Sequence, residues 1–166
     1  RVLDHCAGGG GKTLAMAARA RLRLFAHDAE PARMRDLVTR AKRAGVEVDI
    51  TESPEKTAPY DVVLTDVPCS GSGSWRRDPM GKWLLTPDRL AALCQIQSDI
   101  LQRTAPMVSP GGVLAYATCS LLRDENEDRI AAFLASHPDW ICRSQQRFSP
   151  LQGGDGFFLA ILSWRD

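Results

Sequence analysis

Short apolar runs alternate along this chain with longer segments of helical periodicity. Strands are predicted at Val2-Leu3 and over 22–26, with a helix over 13–20 between them. The segment 31–44 reads as a helix, because Pro31 is tolerated in a first turn and Gly45 is a helix-ending glycine. Val46, Val48 and Ile50 alternate with polar residues, as a strand near a sheet edge does, and 61–65 has the pattern of a buried strand. Glycines, prolines and two tryptophans then crowd 67–85, which reads as a long functional loop. Thr86-Pro87 opens a long helix, with the threonine as cap and the proline at the first helical position. Its apolar stripe is Leu93, Ile96, Ile100 and Leu101. Pro110-Gly111-Gly112 marks a turn into a strand over 113–117, and Asp124 with Glu127 has capping-box spacing before a helix ending at Ser136. Final strands are predicted over 140–142 and 157–162.

This alternation predicts one doubly wound α/β domain over 1–166, built on a mostly parallel sheet. Ligands of such sheets bind outside the carboxyl ends of the strands. Three unusual loops fall there, around 4–13, 66–73 and 118–120. The chain of 166 residues is long enough for a real core, and 44% hydrophobic with 25% charged residues is ordinary for a soluble globular domain. No apolar stretch is long enough to span a bilayer. A first residue already inside a strand pattern suggests a domain cut from a longer protein.

The net charge of +1 does not mark a strongly basic nucleic-acid binder, although local patches count for more than totals. Five cysteines without a CxxC pair argue against a disulfide framework or a zinc site and favour a reducing cytoplasm. None of the three histidines has a partner at ligand spacing, so no metal is expected.

The first loop reads Asp4-His5-Cys6-Ala7-Gly8-Gly9-Gly10-Gly11-Lys12-Thr13. Consecutive glycines let a backbone approach a ligand closely, and a helix start supplies free N–H donors. A phosphate-binding P-loop would need glycine where Cys6 stands, and the dinucleotide fingerprint would need it where Thr13 stands. What remains is a looser nucleoside-binding loop. Asp28, after the second predicted strand, has the position of a carboxylate that accepts from both ribose hydroxyls, or else caps a helix in solvent.

The other two loops carry thiols: Asp66-Val67-Pro68-Cys69-Ser70-Gly71-Ser72-Gly73 and Thr118-Cys119-Ser120. With Arg76-Arg77-Asp78-Pro79, Lys82-Trp83, Glu125-Asn126-Glu127 and Asp155-Gly156-Phe157-Phe158, they run in the order and spacing of a known family. The chain resembles the catalytic domain of the Sun/Fmu-type (ribosomal RNA small-subunit methyltransferase B-like) RNA cytosine-5 methyltransferases. Two departures stand out. Gly9 occupies a position where the family usually has proline, and the family's N-terminal RNA-binding extension is absent from this chain.

The resemblance implies a Rossmann-like S-adenosylmethionine-dependent fold, a seven-stranded mostly parallel sheet with an antiparallel final strand, and a monomer that acts on RNA. Ribosomal RNA is the favoured substrate and transfer RNA the second; a catalytically silent RNA-binding domain is the rival of another class. The cofactor would lie against Cys6, Ala7, Gly8, Gly9, Gly10, Gly11, Lys12, Asp28, Asp66 and an acid after the third strand, Glu52 or Asp49 behind it. Cys119 takes the family's nucleophile position and Cys69 its product-release position, while Asp66 would contact the cytosine. DNA cytosine-5 methyltransferases would reverse the cysteines, placing the attack at Cys69.

RNA contacts are expected from Lys12, Pro68, Arg76, Arg77 and Lys82. Trp75 and Trp83 would either stack on an exposed base or anchor the loop. Arg33, Arg35, Arg40, Lys42 and Arg43 read as a solvated helix face. Cys94 and Cys142 are assigned to packing, and Cys6 to a place beneath the cofactor.

Overall fold

Seven strands form one sheet in a computed structural model that describes residues 1–165. They are β1 (Val2–Asp4), β2 (Leu24–Ala26), β3 (Val48–Ile50), β4 (Tyr60–Asp66), β5 (Val108–Thr118), β6 (Trp140–Phe148) and β7 (Phe157–Trp164), in the order β3-β2-β1-β4-β5-β7-β6. β7 runs antiparallel to both β5 and β6, and the remaining pairings are parallel. The helices are α1 (Gly11–Ala17), α2 (Arg35–Ala44), α3 (Met80–Leu84), α4 (Pro87–Thr104) and α5 (Glu127–Ser136). The expected doubly wound α/β sheet is therefore present.

Period-two alternation sorts the strand side chains into two layers. Val63, Leu114, Tyr116, Phe158, Ala160 and Leu162 point into the main core with Leu101 of α4 and Ile130 and Phe133 of α5. Their neighbours Leu64, Ala115, Ala117, Leu159 and Ile161 face the other way, toward Met16 of α1. A third cluster seats α2 through Leu37 and Ala41 on Ala7 and Ala26.

Several boundaries differ from the sequence reading. The second strand is shorter, and α1 starts at Gly11 and stops at Ala17. The helix over 31–44 opens as a 3-10 turn (Pro31–Met34), while Gly45 closes it in the left-handed region. The segment Pro110-Gly111-Gly112 is not a turn before β5 but a bulge inside it, where the register slips between Tyr60 and Val62. Gly111 takes a φ of 75° there. β6 runs on to Phe148 although its second half is exposed and polar, because its ladder with β7 holds it.

The capping box at Asp124 and Glu127 does not form. Asp124 lies in a 3-10 turn, and Asn126 stands at the helix start with its side chain turned inward to Thr118 and Ser120. The Thr86 cap does form: its Oγ1 accepts from the Arg89 N–H at 3.2 Å. On α4 the buried residues are Cys94, Gln97, Leu101 and Thr104 rather than the full predicted stripe. Ile100 packs against the main core as expected and also lines a cavity, whereas Ile96 is exposed at that cavity.

Candidate active site

Adjacent parallel strands bring the two cysteine loops together. β4 and β5 end side by side, with Asp66 opposite Ala117, so the loops after them start as neighbours. The Val67 N–H donates to the Ala117 carbonyl at 3.0 Å, and the Gly73 N–H donates to the Cys119 carbonyl at 2.9 Å. The thiols of Cys69 and Cys119 consequently stand 3.4 Å apart, and both are partly accessible.

Their environments differ in sign. The hydrogen bond from the Cys69 thiol holds the Cys119 thiol below the ordinary thiol value, against desolvation and the Asp66 carboxylate. The backbone N–H of Cys119 and the Lys12 ammonium add to that lowering. Donating to Cys119 pushes Cys69 up, and burial, the charge on Cys119 and the Glu125 carboxylate push in the same direction. The two shifts therefore run in opposite directions, down at Cys119 and up at Cys69, across one shared hydrogen bond.

Lys12 and Asp66 complete the centre. The Lys12 Nζ donates to Asp66 Oδ2 at 2.5 Å and lies 5.3 Å from the Phe157 ring centroid. Behind them lies Asp4, only 1% exposed, whose Oδ2 accepts from the Thr13 hydroxyl at 2.6 Å. Its Oδ1 is buried without a partner among the described residues. Burial raises the Asp4 carboxyl to about 6; Thr13 opposes that shift, and Asp66 adds to it.

The glycine loop shapes the second half of the site. Gly8 (φ 48°) and Gly10 (φ 77°) are left-handed, a conformation that a side chain makes costly. The Gly8 N–H donates to Asp28 Oδ2 at 2.9 Å, and the Glu30 N–H donates to Asp28 Oδ1 at 3.0 Å. Asp28 is therefore buried and shapes the loop, rather than standing as a solvated cap. Ala7 is buried, its N–H bonded to the His27 carbonyl.

A cavity of about 270 Å³ opens beside the loop, with Cys6, Asp28 and Pro68 on one side and Ile96, Ile100 and Arg103 of α4 on the other. Burial, and then the charges of Asp28, Asp4 and Asp66, push the Cys6 thiol up to about 12, so it stays protonated. His5 in the same lining is lowered to about 4, first by burial and then by His27 and Arg103. Glu52 is exposed just beyond the end of β3. Asp49 lies within β3 and pairs with Arg23 at 3.4 Å.

The remaining expected contacts divide. Pro68 is exposed, and its carbonyl accepts from Gln97. Arg76 and Arg77 both pair with Asp155, at 2.8 and 2.5 Å. Lys82 and Trp83 lie on α3, a short helix that the loop reading of this segment missed, and Trp83 is 76% exposed. Trp75, by contrast, anchors the loop through the Ser70 carbonyl. The basic helix is not wholly a solvated face: Arg33 reaches Asp28, and Arg40 donates to the Gly9 carbonyl. Both side chains bend over the glycine loop, which places two cations against it. Among the described residues, no group of three or more His, Cys, Asp or Glu is arranged to hold a metal, and no helix is long and apolar enough to cross a membrane.

Sequence reasoning quoted Asp4 and Glu125 within motifs but gave them no role, and it passed over Gln97 and the α4 side of the cavity. A signal existed for the last. Ile96, Asp99, Ile100 and Arg103 recur at helical spacing and share one face of α4.

The chain as a whole is similar to known proteins. A model of the family described as 16S rRNA methyltransferase RsmB/F matches residues 1–163. A ribosomal RNA small subunit methyltransferase B from Proteus mirabilis is 40% identical over 98% of this chain and 41% of its own length. The protein of that name from Klebsiella pneumoniae is 38% identical, also over 98% of this chain and 41% of its own. The chain thus spans about two fifths of such relatives. Among solved structures, PH0851 superposes with a TM-score of 0.90 at 32% identity, covering 98% of this chain and 42% of that one. A methyltransferase homolog protein from Pyrococcus horikoshii gives 0.79 at 27% identity, covering 97% and 60%. The chain belongs to the 16S rRNA methyltransferase RsmB/F family, and its sheet is the Rossmann-like methyltransferase fold.

Proposed function

We propose that this protein is an S-adenosylmethionine-dependent RNA (cytosine-5) methyltransferase that acts on ribosomal RNA in the cytoplasm through a cysteine–C6 covalent adduct. The observation that carries this reading is the thiol pair at 3.4 Å, one sulfur disposed to be a thiolate, next to the Lys12–Asp66 pair.

The cavity suits the cofactor. Ile96, Ile100 and Pro68 offer apolar surface for a purine, while Asp28 and the backbone of Gly8 to Lys12 offer polar groups for a ribose and an amino-acid tail. Asp4 and Asp66 add carboxylates that favour a cationic ligand. When bound, S-adenosylmethionine supplies an electrophilic methyl group on a sulfonium.

Cytosine C5 is a poor nucleophile until a thiolate adds to C6. The Cys119 Sγ forms that bond, and the C5–C6 π pair moves to C5. Asp66, steadied by Lys12, is disposed to hydrogen-bond the ring at N3 or the exocyclic amine and so stabilise the charge that develops. The pair on C5 forms the bond to the methyl group; the C5 proton then leaves to a base, the C5–H pair becomes the new C5–C6 π bond, and the C–S bond breaks with its pair on sulfur. Cys69 then acts on the departing sulfur: its S–H renews the hydrogen bond to the Cys119 thiolate and makes it a better leaving group. Arg76, Arg77, Lys82 and Trp83 rim the opening with cations and one aromatic face for an unstacked strand.

Trapping on RNA containing 5-fluorocytosine tests the roles, because fluorine at C5 blocks elimination. Cys119→Ala should form no adduct and lose on the order of 10³-fold or more in methyl transfer. Cys69→Ala should still form it. An adduct that persists in Cys119→Ala and vanishes in Cys69→Ala would reverse the assignment.

A further inference from the structure

Glu125 is 0% exposed, yet its carboxylate sits between the two cysteine loops. Its Oε1 accepts from the Ser70 N–H at 2.8 Å and from Gln97 Nε2 of α4 at 3.0 Å. Its Oε2 accepts from the hydroxyls of Ser70 and Ser120, each at 2.5 Å. All four donors are neutral. Ser70 follows Cys69 in the chain and Ser120 follows Cys119, so this one carboxylate ties the residue after each sulfur to the other.

The rest of the network reinforces the tie. The Ser72 and Ser120 hydroxyls meet at 3.0 Å, and the Leu121 N–H donates to Ser72 Oγ at 2.8 Å. Gln97 also donates to the Pro68 carbonyl at 2.9 Å, one residue before Cys69. The Tyr116 hydroxyl donates to the backbone carbonyl of Glu125 at 2.6 Å, which fixes the turn that carries it.

A scaffold alone does not require a charge. Glutamine has nearly the same shape, but it would turn an N–H₂ toward donors that need an acceptor. Four donors converging on two oxygens are built for an anion. A negative charge fixed beside the Cys69 loop opposes a second one on Cys69 itself. On the opposite side Lys12 favours negative charge at Cys119.

We propose that Glu125 is a positioning residue which decides which of the two sulfurs is the nucleophile: it sets the spacing of the cysteine loops and keeps the shared proton on Cys69. This inference rests on the proposed thiol chemistry of the site, but it concerns the thiols alone and is measurable without RNA. The charged and titratable groups facing the pair are Lys12 from α1, Asp66 at the end of β4, Asp4 behind them, and Glu125 itself. Tyr116 from β5 faces both Glu125 and Cys69, and Arg129 from α5 faces Tyr116.

Iodoacetamide labelling of the protein from pH 5.5 to 9.5, resolved by peptide mass spectrometry, reads each sulfur separately. In the unsubstituted protein Cys119 should label ahead of Cys69. Glu125→Gln should move the Cys119 profile to higher pH, cut its labelling at pH 7 about tenfold, and bring Cys69 level with it. Glu125→Asp, which keeps the charge, should restore the preference for Cys119. Unchanged profiles in a folded Glu125→Gln would overturn the proposal.

If Glu125→Gln does not fold, Ser70→Ala serves instead, since it removes one donor and leaves both thiols. A several-fold loss of the Cys119 preference supports the selector role, and an unaltered preference sinks it. Should labelling follow Glu125 while Cys119 fails to trap RNA, the selector stands and the methyltransferase mechanism falls.

Discussion

The two ends of the site are held by opposite means. At the cysteine end, side chains do the holding: Glu125, Ser70, Ser72, Ser120 and Gln97 bond one another across two loops and a helix. At the glycine end, backbone conformation leads: Gly8 and Gly10 hold left-handed conformations, and side chains reach the loop singly, Asp28 at the Gly8 N–H and Arg40 at the Gly9 carbonyl. The difference follows from what each end must do. Reacting atoms must be kept at a fixed separation, which cross-bonded side chains provide. A bound cofactor needs space close to the backbone, which the absence of a Cβ provides.

The sharpest way to break this contrast is to add a Cβ at the glycine end. A Cβ on Gly10 would lie 2.2 Å from Leu37 Cδ1, at a φ of 77°. Gly10→Ala combines left-handed strain with overpacking and should lose about 3–5 kcal/mol of unfolding free energy. A Cβ on Gly11 meets nothing within 4 Å and sits at the start of α1. Gly11→Ala should therefore keep its stability or gain about 0.5–1 kcal/mol, yet bind S-adenosylmethionine more weakly by filling the cradle. Urea unfolding and cofactor titration of the two variants separate architecture from cradle. Equal unfolding curves for both would mean that the loop is not held by its backbone.

Asp4 lies behind the meeting point of the two ends and gives the next effect in size. Burial raises its carboxyl from the ordinary 3.8 to about 6. An acid shifted this way favours its neutral form in the folded state. Its contribution is full below pH 3.8 and is lost as pH rises through about 6, so the charged carboxylate penalises the fold above that. Asp4→Asn keeps an acceptor for the Thr13 hydroxyl and removes the penalty. The variant should be more stable than the parent by about 2–3 kcal/mol at pH 8, with the gap closing toward pH 4. Urea midpoints at both pH values check this, and a gap independent of pH would assign the effect to something other than Asp4 ionisation.

The sequence made the sheet legible because its signals are local. Alternating apolar runs, a Thr-Pro helix start and glycines after the first strand each report on a few neighbouring residues. The residues that the structure brings together were legible where a motif named them, as at Cys69, Cys119, Asp66 and Lys12. It was illegible where the determinant lies in a pairing between distant segments. Glu125 and Ser70 are separated by 55 positions, and nothing near either one announces the other. Asp124 and Glu127 show the opposite failure. Their capping-box spacing is correct, but Asn126 is drawn into the site by Thr118 and Ser120, and that tertiary contact overrides the local signal.

The smallest effect concerns the rim, where the cysteine end meets solvent. Arg76 and Arg77 both lean on Asp155, and both guanidiniums are largely exposed. Exposed pairs of this kind contribute little to stability. The loop is placed by something firmer: the Gly73 and Gly156 backbones touch, with the Gly156 N–H donating to the Gly73 carbonyl at 2.8 Å. A Cβ on Gly73 would come within 2.2 Å of the Gly156 oxygen, so neither position has room for a side chain. Asp155→Asn should therefore leave the melting temperature and the loop unchanged while releasing two cations. RNA affinity should rise a few-fold at low salt, and the slope of log K against log salt should steepen by roughly 0.7 for each phosphate gained. Weaker binding with an unchanged melt would mean instead that Asp155 aims the two arginines, and that the rim, like the sulfur pair behind it, depends on a carboxylate for its geometry.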